Sequence, residues 1–287
     1  MSQQNQNETI RRATGLLIIE VRDSNPNGDP DRESDPRQRP DSRGEISPVS
    51  FKRKVRDLID DKAGPVWGEL KKALELKDEN HFILESRGRD RKAIEKELKD
   101  GTFQQKYWDG RIFGNTFLEE GGSNTIKTGV AQFGLGLSVA PIDIGRSTNT
   151  SKAGVQEGKD RGMAPMGYRF VKHAVYCMPF FINPSMAHKS GCTKKDIDLL
   201  LNVIPYAYSH TRSHGRPMVE LRHAWYVEHK SSLGSCSDFA VIDALTPTKK
   251  EKPNEPSTSW KDYEPISVLL PDTLSSKVEP LRDLINV

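Results

Sequence analysis

Cysteine is scarce: Cys177, Cys192 and Cys236 stand far apart, with no Cys-x-x-Cys pair, which excludes a disulfide framework and a thiolate zinc centre. A reducing cytoplasm is the expected setting. Apolar residues make up 34% and aromatics 7% of the 287 residues, and mean hydropathy is −0.67, so the chain should carry a thin core with long polar excursions. No apolar run approaches the roughly 18 residues of a membrane helix, and Met1 to Ala13 is too polar for a signal peptide; neither a span nor a cleaved leader is expected. Charge of one sign is also lacking. With 43 Lys plus Arg against 40 Asp plus Glu the net charge is +3, so any basic surface must come from local clustering.

Catalytic and metal-binding patterns are missing as well. His210 and His214 lie one helical turn apart, but Gly215 and Pro217 follow directly and no cysteine or carboxylate stands at zinc spacing. Gly121-Gly-Ser-Asn-Thr-Ile-Lys-Thr128 misses the phosphate-cradling loop because Ile126 replaces a required glycine. Asp23 to Asp31 opens like a calcium loop, yet Ser34 stands where a bidentate Glu is needed and prolines intervene. No catalytic residue, metal or cofactor is expected, and no Gly-x-Ser-x-Gly nucleophile turn is present.

Against these absences stands an ordered series of elements. Residues 14 to 22 are apolar on both faces until Glu20 and read as a central strand. A proline- and arginine-rich crossover from Asp23 to Pro48 follows, expected as an exposed loop whose Asp23-Ser-Asn-Pro-Asn-Gly-Asp-Pro30 turn can offer backbone N–H groups to a phosphate. Ser47 and Pro48 then start a helix in which Phe51, Val55, Leu58 and Ile59 form one apolar stripe, leaving Lys52, Arg53, Lys54 and Arg56 outside. Trp67 to Leu76 and Arg91 to Leu98 are helical, strand character returns around Arg111 to Gly114 and Phe133 to Val139, and Tyr168 to Met178 alternates as a strand. Thr193 with Asp196 makes a capping box for a helix burying Ile197, Leu200, Leu201 and Ile204, and Val219 to Val227 is a strand with Val219, Leu221, Trp225 and Val227 on one side.

Stripped of insertions, the order is β-α-β-β-α-β, an α+β ferredoxin-like sandwich of the kind on which RRM-type RNA binders are built. The expected organisation is a disordered tail over residues 1–13 and one domain over 14–287, interrupted at 62–110, 141–168 and 246–263, the last linker-like. Arg161-Gly-Met-Ala-Pro-Met-Gly167 places two flexible apolar side chains beside an arginine in a loop, a tip able to wedge between bases. Arg212 and Arg216 add a possible phosphate-binding rim.

The strand, the Asn25-Pro-Asn-Gly-Asp-Pro30 loop and the Lys52-Arg-Lys-Val-Arg56 helix resemble the backbone subunit of type I CRISPR Cascade complexes, the Cas-seven family, most closely in subtype I-C or I-B. Gly110-Arg-Ile-Phe-Gly114, Met166-Gly-Tyr-Arg-Phe-Val-Lys-His173 and Ser209 to Arg216 are similar to further segments of that family; Ile126-Lys-Thr-Gly-Val-Ala-Gln132 is only loosely alike. The resemblance implies an RRM-like palm, a helical fingers lobe over 62–110 and a long thumb β-hairpin over 141–168. It implies a non-enzymatic partner of CRISPR guide RNA, of further copies of itself and of other Cascade subunits, meeting target DNA through the guide. The RNA-binding residues expected are Arg22, Asn25, Asn27, Lys52, Arg53, Arg56, Arg146, Arg161, Met163, Met166, Arg169 and Arg212. Two rivals compete with it: a metal-dependent RNA-cleaving subunit using Asp23, Asp29 or Asp143, and a monomeric general single-strand binder.

Overall fold

The computed structural model describes residues 9–86, 91–115, 127–151, 164–265 and 269–285. It is an α+β molecule organised around one antiparallel sheet. The strands are β1 (Ala13–Ser24), β2 (Arg43–Ile46), β3 (Ala131–Phe133), β4 (Gly136–Pro141), β5 (Ile144–Ser151), β6 (Ala164–Ile182), β7 (Val219–Glu228) and β8 (Arg282–Asp283). Their order is β8-β7-β1-β6-β4-β2, with β3 and β5 also pairing with the long β6. The helices that matter here are α1 (Pro48–Asp60), α2 (Pro65–Ala73), α3 (Trp108–Phe113), α4 (Lys194–Val203) and α5 (Asp238–Leu245).

β1 is central, as its two-sided apolar sequence requires: Leu16, Leu17, Ile18 and Ile19 are all fully buried. Because side chains alternate across a strand, Leu17 and Ile19 join one core with Phe51, Val55 and Ile59 of α1 and Leu200 of α4. Leu16 and Ile18 join a second core with Val175, Trp225, Val241, Leu245, Tyr263 and Val278. Among the described residues both faces of β1 are therefore covered, by helices on one side and by α5 with the C-terminal segment on the other.

Gly15 lies directly opposite Phe180 in the β1–β6 ladder. A Cβ at Gly15 would fall 2.2 Å from the Phe180 ring, which is stacked between Phe133 (centroids 5.2 Å apart) and Tyr226 (6.3 Å). The glycine is a requirement of close approach, with the aromatic ring filling the space that its missing side chain leaves.

α1 begins as the sequence indicates, with Ser47 accepting from the Ser50 N–H and Pro48 in the first turn. α4 starts with the expected capping box, Thr193 and Asp196 bonding reciprocally.

Several expectations are corrected. The crossover from Asp23 to Pro48 is not wholly loop, because β2 pairs with β4 and extends the sheet. Arg111 to Phe113 is helical, closing α3, and not strand. The single-sided stripe of β7 is split by a bulge opposite Ile18 and Ile19, which inserts Arg222 and shifts the alternation, so Val219 and Leu221 face the helices while Trp225 and Val227 face the second core. Residues 246–263 are folded against the second core, where Ser257 and Tyr263 are buried. The tail ends sooner than expected: Ile10 is buried, Arg11 pairs with Glu279 at 2.6 Å, and Arg12 pairs with Asp238 at 2.5 Å.

Two buried arginines fasten the segment around residues 78–113 to the helices. Arg111 grips Asp196 with two N–H groups at 2.7 and 3.0 Å and donates to the carbonyls of Gln104, Gln105 and Asn80. Arg56 bonds Asp109 at 3.0 Å and Glu85 at 3.0 Å, and Asp109 also accepts from the Leu84 N–H. Both guanidiniums have their donors met by acceptors in fixed places, the arrangement in which buried charge is tolerated.

Candidate nucleic-acid interface

Three elements converge at one end of β1: the 23–37 loop, the N-terminal half of α1 and the base of the β5–β6 hairpin, with the 209–217 loop alongside. The loop is shaped from within. Asn27 Oδ1 accepts the Ser47 N–H at 2.7 Å, Asn25 Nδ2 donates to the Ser34 carbonyl, and Asp29 caps the short turn at Pro30–Arg32. The Asn25 N–H donates to the Gly215 carbonyl and the Met218 N–H to Ser24 Oγ, which docks the 209–217 loop against it.

The hairpin base is tied to the same loop. Tyr168 donates its hydroxyl hydrogen to the Asp23 carbonyl at 2.8 Å; Arg169 pairs with Glu33 and, at 3.3 Å, with Asp35; and Arg146 pairs with Asp35 at 2.8 Å. β5 and β6 run in register from the Ile144–Val171 pair to Ser151–Ala164, with Met166 opposite Asn149. Arg161 and Met163 lie outside the described residues.

The basic helix divides in two. Arg56 is 4% exposed and Lys54 5% exposed, so the expected outer position of both is corrected. The apolar stripe of α1 is wider than the sequence suggests, because α3 and the 209–217 segment pack against its flanks. Arg56 is committed to Asp109 and Glu85 as described. Arg53 is exposed and bound to Asp57 at 2.7 Å, and Arg22 is bound to Glu20 at 2.7 Å. Among the described residues Lys52, Lys54, Arg212 and Arg216 have no carboxylate partner. Lys52 lies 4.9 Å from the Phe113 ring centroid, and burial together with the Arg56 charge moves its pKa down. Lys54 is brought down to about 8, first by burial and then by the Arg216 charge.

Of the twelve residues named from sequence, the structure thus brings Arg22, Asn25, Asn27, Arg146 and Arg169 around one end of β1, with Arg212 on the adjoining loop and Met166 further along the hairpin, while Lys52 and Arg53 on α1 lie beside Phe113 and Glu85. Most are held by acidic or backbone partners, leaving Lys52 and Arg212 as the cations of the set with no ion pair among the described residues. Sequence reasoning missed Lys54 and Tyr208 as neighbours of Arg216, since nothing local announces that residues 208–216 return to α1.

Among the described residues no group of three or more His, Cys, Asp or Glu side chains is placed to hold a metal ion. Asp29 faces its own turn and Arg37 at 4.0 Å, and Asp143 is bound by Lys172 at 2.7 Å.

The family model described as CRISPR-associated protein Cas7 matches residues 11–268. The chain belongs to this family. Among solved structures, a chain of a CRISPR RNA-guided surveillance complex in a pre-nicking state is similar at 14% identity and a TM-score of 0.49, covering 76% of this chain and 78% of that one. A second CRISPR RNA-guided surveillance complex gives 14% identity and 0.45 over 76% and 69%. A type III-B Cmr-beta complex bound to cognate target RNA gives 12% and 0.45 over 76% and 61%. No curated sequence is similar enough to match. No described helix is long and apolar enough to cross a membrane.

Proposed function

We propose that this chain is a guide-RNA-binding backbone subunit of a type I CRISPR effector complex, polymerising along the guide and presenting it to target DNA without cutting nucleic acid itself. The observation that carries the reading, beside membership of the Cas7 family, is a set of cations with no ion pair among the described residues, Lys52 and Lys54 on α1 and Arg212 and Arg216 on the loop docked beside it.

Polyanion binding requires cations whose charge is not already neutralised, because affinity comes from releasing counterions condensed on the phosphates. The covered second face of the sheet argues in the same direction: bases cannot stack there as they do on an open RRM sheet, so the strand is held by its backbone. The β7-β1-β6-β4 order, antiparallel throughout and with α1 and α4 as crossovers, supports a ferredoxin-like palm. In this reading the helical segment at 62–110 is the fingers lobe and the β5–β6 hairpin the thumb.

Expression with a guide transcript, followed by sizing and electron microscopy, tests the proposal. Copies should assemble in proportion to guide length, and a protein that stays monomeric on RNA would refute it. Incubation with complementary RNA and magnesium should yield no periodic fragments; such fragments would favour the cleaving rival.

A further inference from the structure

Cys236 stands beside a histidine and a carboxylate in the segment that joins β7 to α5. Its Sγ lies 3.9 Å from His229 Nδ1. His229 is buried, and a backbone donor sets its tautomer: the Ser235 N–H donates to Nδ1 at 3.1 Å, so Nδ1 carries a lone pair, shared with the thiol, and the ring proton is on Nε2. The Nε2–H meets Asp238 Oδ1 at 3.2 Å and Thr14 Oγ1 at 3.0 Å, and Thr14 donates its own hydroxyl hydrogen to the same carboxylate at 2.5 Å. Arg12 closes the set with an ion pair to Asp238 at 2.5 Å. Thiol, imidazole and carboxylate thus follow one another in the order by which a base, itself oriented by an acid, draws a proton from sulfur.

The segment is held in place before any reaction. Ser235 Oγ donates to the Lys277 carbonyl at 2.5 Å, and Arg12 donates to the Leu233 carbonyl at 3.2 Å. Cys236 is half-buried, open to a small reagent. Burial and the Asp238 charge raise its thiol pKa against the opposing charges of Lys277 and Arg12, while burial, helped by Arg12 and opposed by Asp238, lowers that of His229. Near neutral pH the pair is a protonated thiol facing a neutral base, the state from which a nucleophile is activated by proton removal at the moment of attack. The other two cysteines lack such a neighbour: Cys177 is pushed up to about 12 by burial and bonds Thr246, and Cys192 donates to the Thr193 carbonyl at 3.7 Å.

We propose that Cys236 is a reactive thiol with His229 as its base and Asp238 as the positioning residue, and that the reactant it takes is a small hydroperoxide. His229 Nδ1 accepts the thiol proton, the sulfur attacks one peroxide oxygen, the O–O bond breaks, and the departing hydroxide takes the proton back from the imidazolium and leaves as water. Sulfur is oxidised by two electrons to a sulfenic acid, and the peroxide is reduced by the same two. A hydroperoxide suits the site because its leaving oxygen needs the proton that the imidazolium carries, and because it is small enough to reach a half-buried sulfur. This reactivity is separate from the guide-RNA reading and does not depend on it.

The test uses the full chain with iodoacetamide and hydrogen peroxide as probes, and peptide mass spectrometry to follow each cysteine. A simple thiol alkylates about tenfold faster for each pH unit below its pKa, as the thiolate fraction grows. Cys236 should instead level off above about pH 6.5, where His229 is already neutral, and stay flat to about pH 8. His229→Gln should lose the plateau and react about a hundredfold more slowly near neutral pH. Asp238→Asn should keep the plateau but lower it about tenfold, with Asp238→Glu recovering part of the rate; this pair keeps the test decisive if His229→Gln does not fold. Micromolar peroxide followed by dimedone should label Cys236 and leave Cys177 and Cys192 unlabelled. A wild-type rate that climbs steadily with pH, or variants with the wild-type profile, would overturn the activated thiol. A plateau without a dimedone adduct would overturn the hydroperoxide as its reactant.

Discussion

Arg111 and Asp196 meet in a two-pronged ion pair at 2.7 and 3.0 Å, both side chains almost wholly withdrawn from water. The arginine comes from the Gly110-Arg-Ile-Phe-Gly114 segment and the aspartate from the capping box of α4, so one contact joins a family-like motif to the start of a core helix. Removing one member of a buried pair strands the other. Arg111→Leu is therefore expected to lower stability by about 3–5 kcal/mol. A urea titration measures it, and a loss below about 1 kcal/mol would show that the pair does not hold the lobe.

Gly15 and Phe180 are coupled by exclusion. Gly15→Val should cost about 2–3 kcal/mol, because the ring cannot move away from Phe133 and Tyr226. Phe180→Leu in the same chain should recover part of the loss; strictly additive effects in a double-mutant cycle would contradict the contact.

Glu20 titrates far from its usual range. Burial alone would raise its pKa, but hydrogen bonds from His173 and Arg22 and the charges of Arg22 and Arg222 outweigh burial and hold the carboxyl down at about 2. A carboxylate depressed on folding adds stability above its unfolded pKa, near 4.5, and that stability is lost as pH falls through the folded value. Between pH 4.5 and 2 the wild type should lose about 3 kcal/mol through this group. Glu20→Gln should show a flatter acid limb in thermal melts, and an unchanged limb would sink the assignment.

Lys52 and Arg212 form no ion pair among the described residues. Replacing both by Ala should leave the melting temperature within a few degrees of the wild type and reduce the salt slope of single-strand RNA binding by about 1.4, twice the contribution of one contact. Filter binding across a salt series checks this. Arg56 is the contrasting case: Arg56→Ala should unfold part of the 78–113 segment, since it frees Asp109 inside the core.

What could be read from the chain in advance follows a physical line. Ser47 and Pro48, Thr193 and Asp196, and the two-sided apolar run at Leu16 to Ile19 act over a few residues, and each marks its element correctly. The burial of Lys54 and Arg56 escapes helical periodicity, which describes one helix, because burial is decided by what packs on its flanks, here Tyr208 beside Lys54 and α3 beside Arg56, both from distant parts of the chain. The β7 stripe failed for a related reason: a one-residue bulge at Arg222 reverses which side chains face which core, and no composition rule marks it. Of the candidate interface, the helix that carries Lys52 and Arg53 could be read from the sequence, but the acidic partners of Arg146 and Arg169 could not, since Glu33 and Asp35 reach them only in the folded molecule.

The C-terminal segment fills the second core, with Tyr263 and Val278 packed together with Leu16 and Ile18, and so closes that side of β1. If the chain holds RNA as proposed, nucleobases find no open sheet to stack on at this face, and a strand held by its backbone would keep its letters free for a complementary strand.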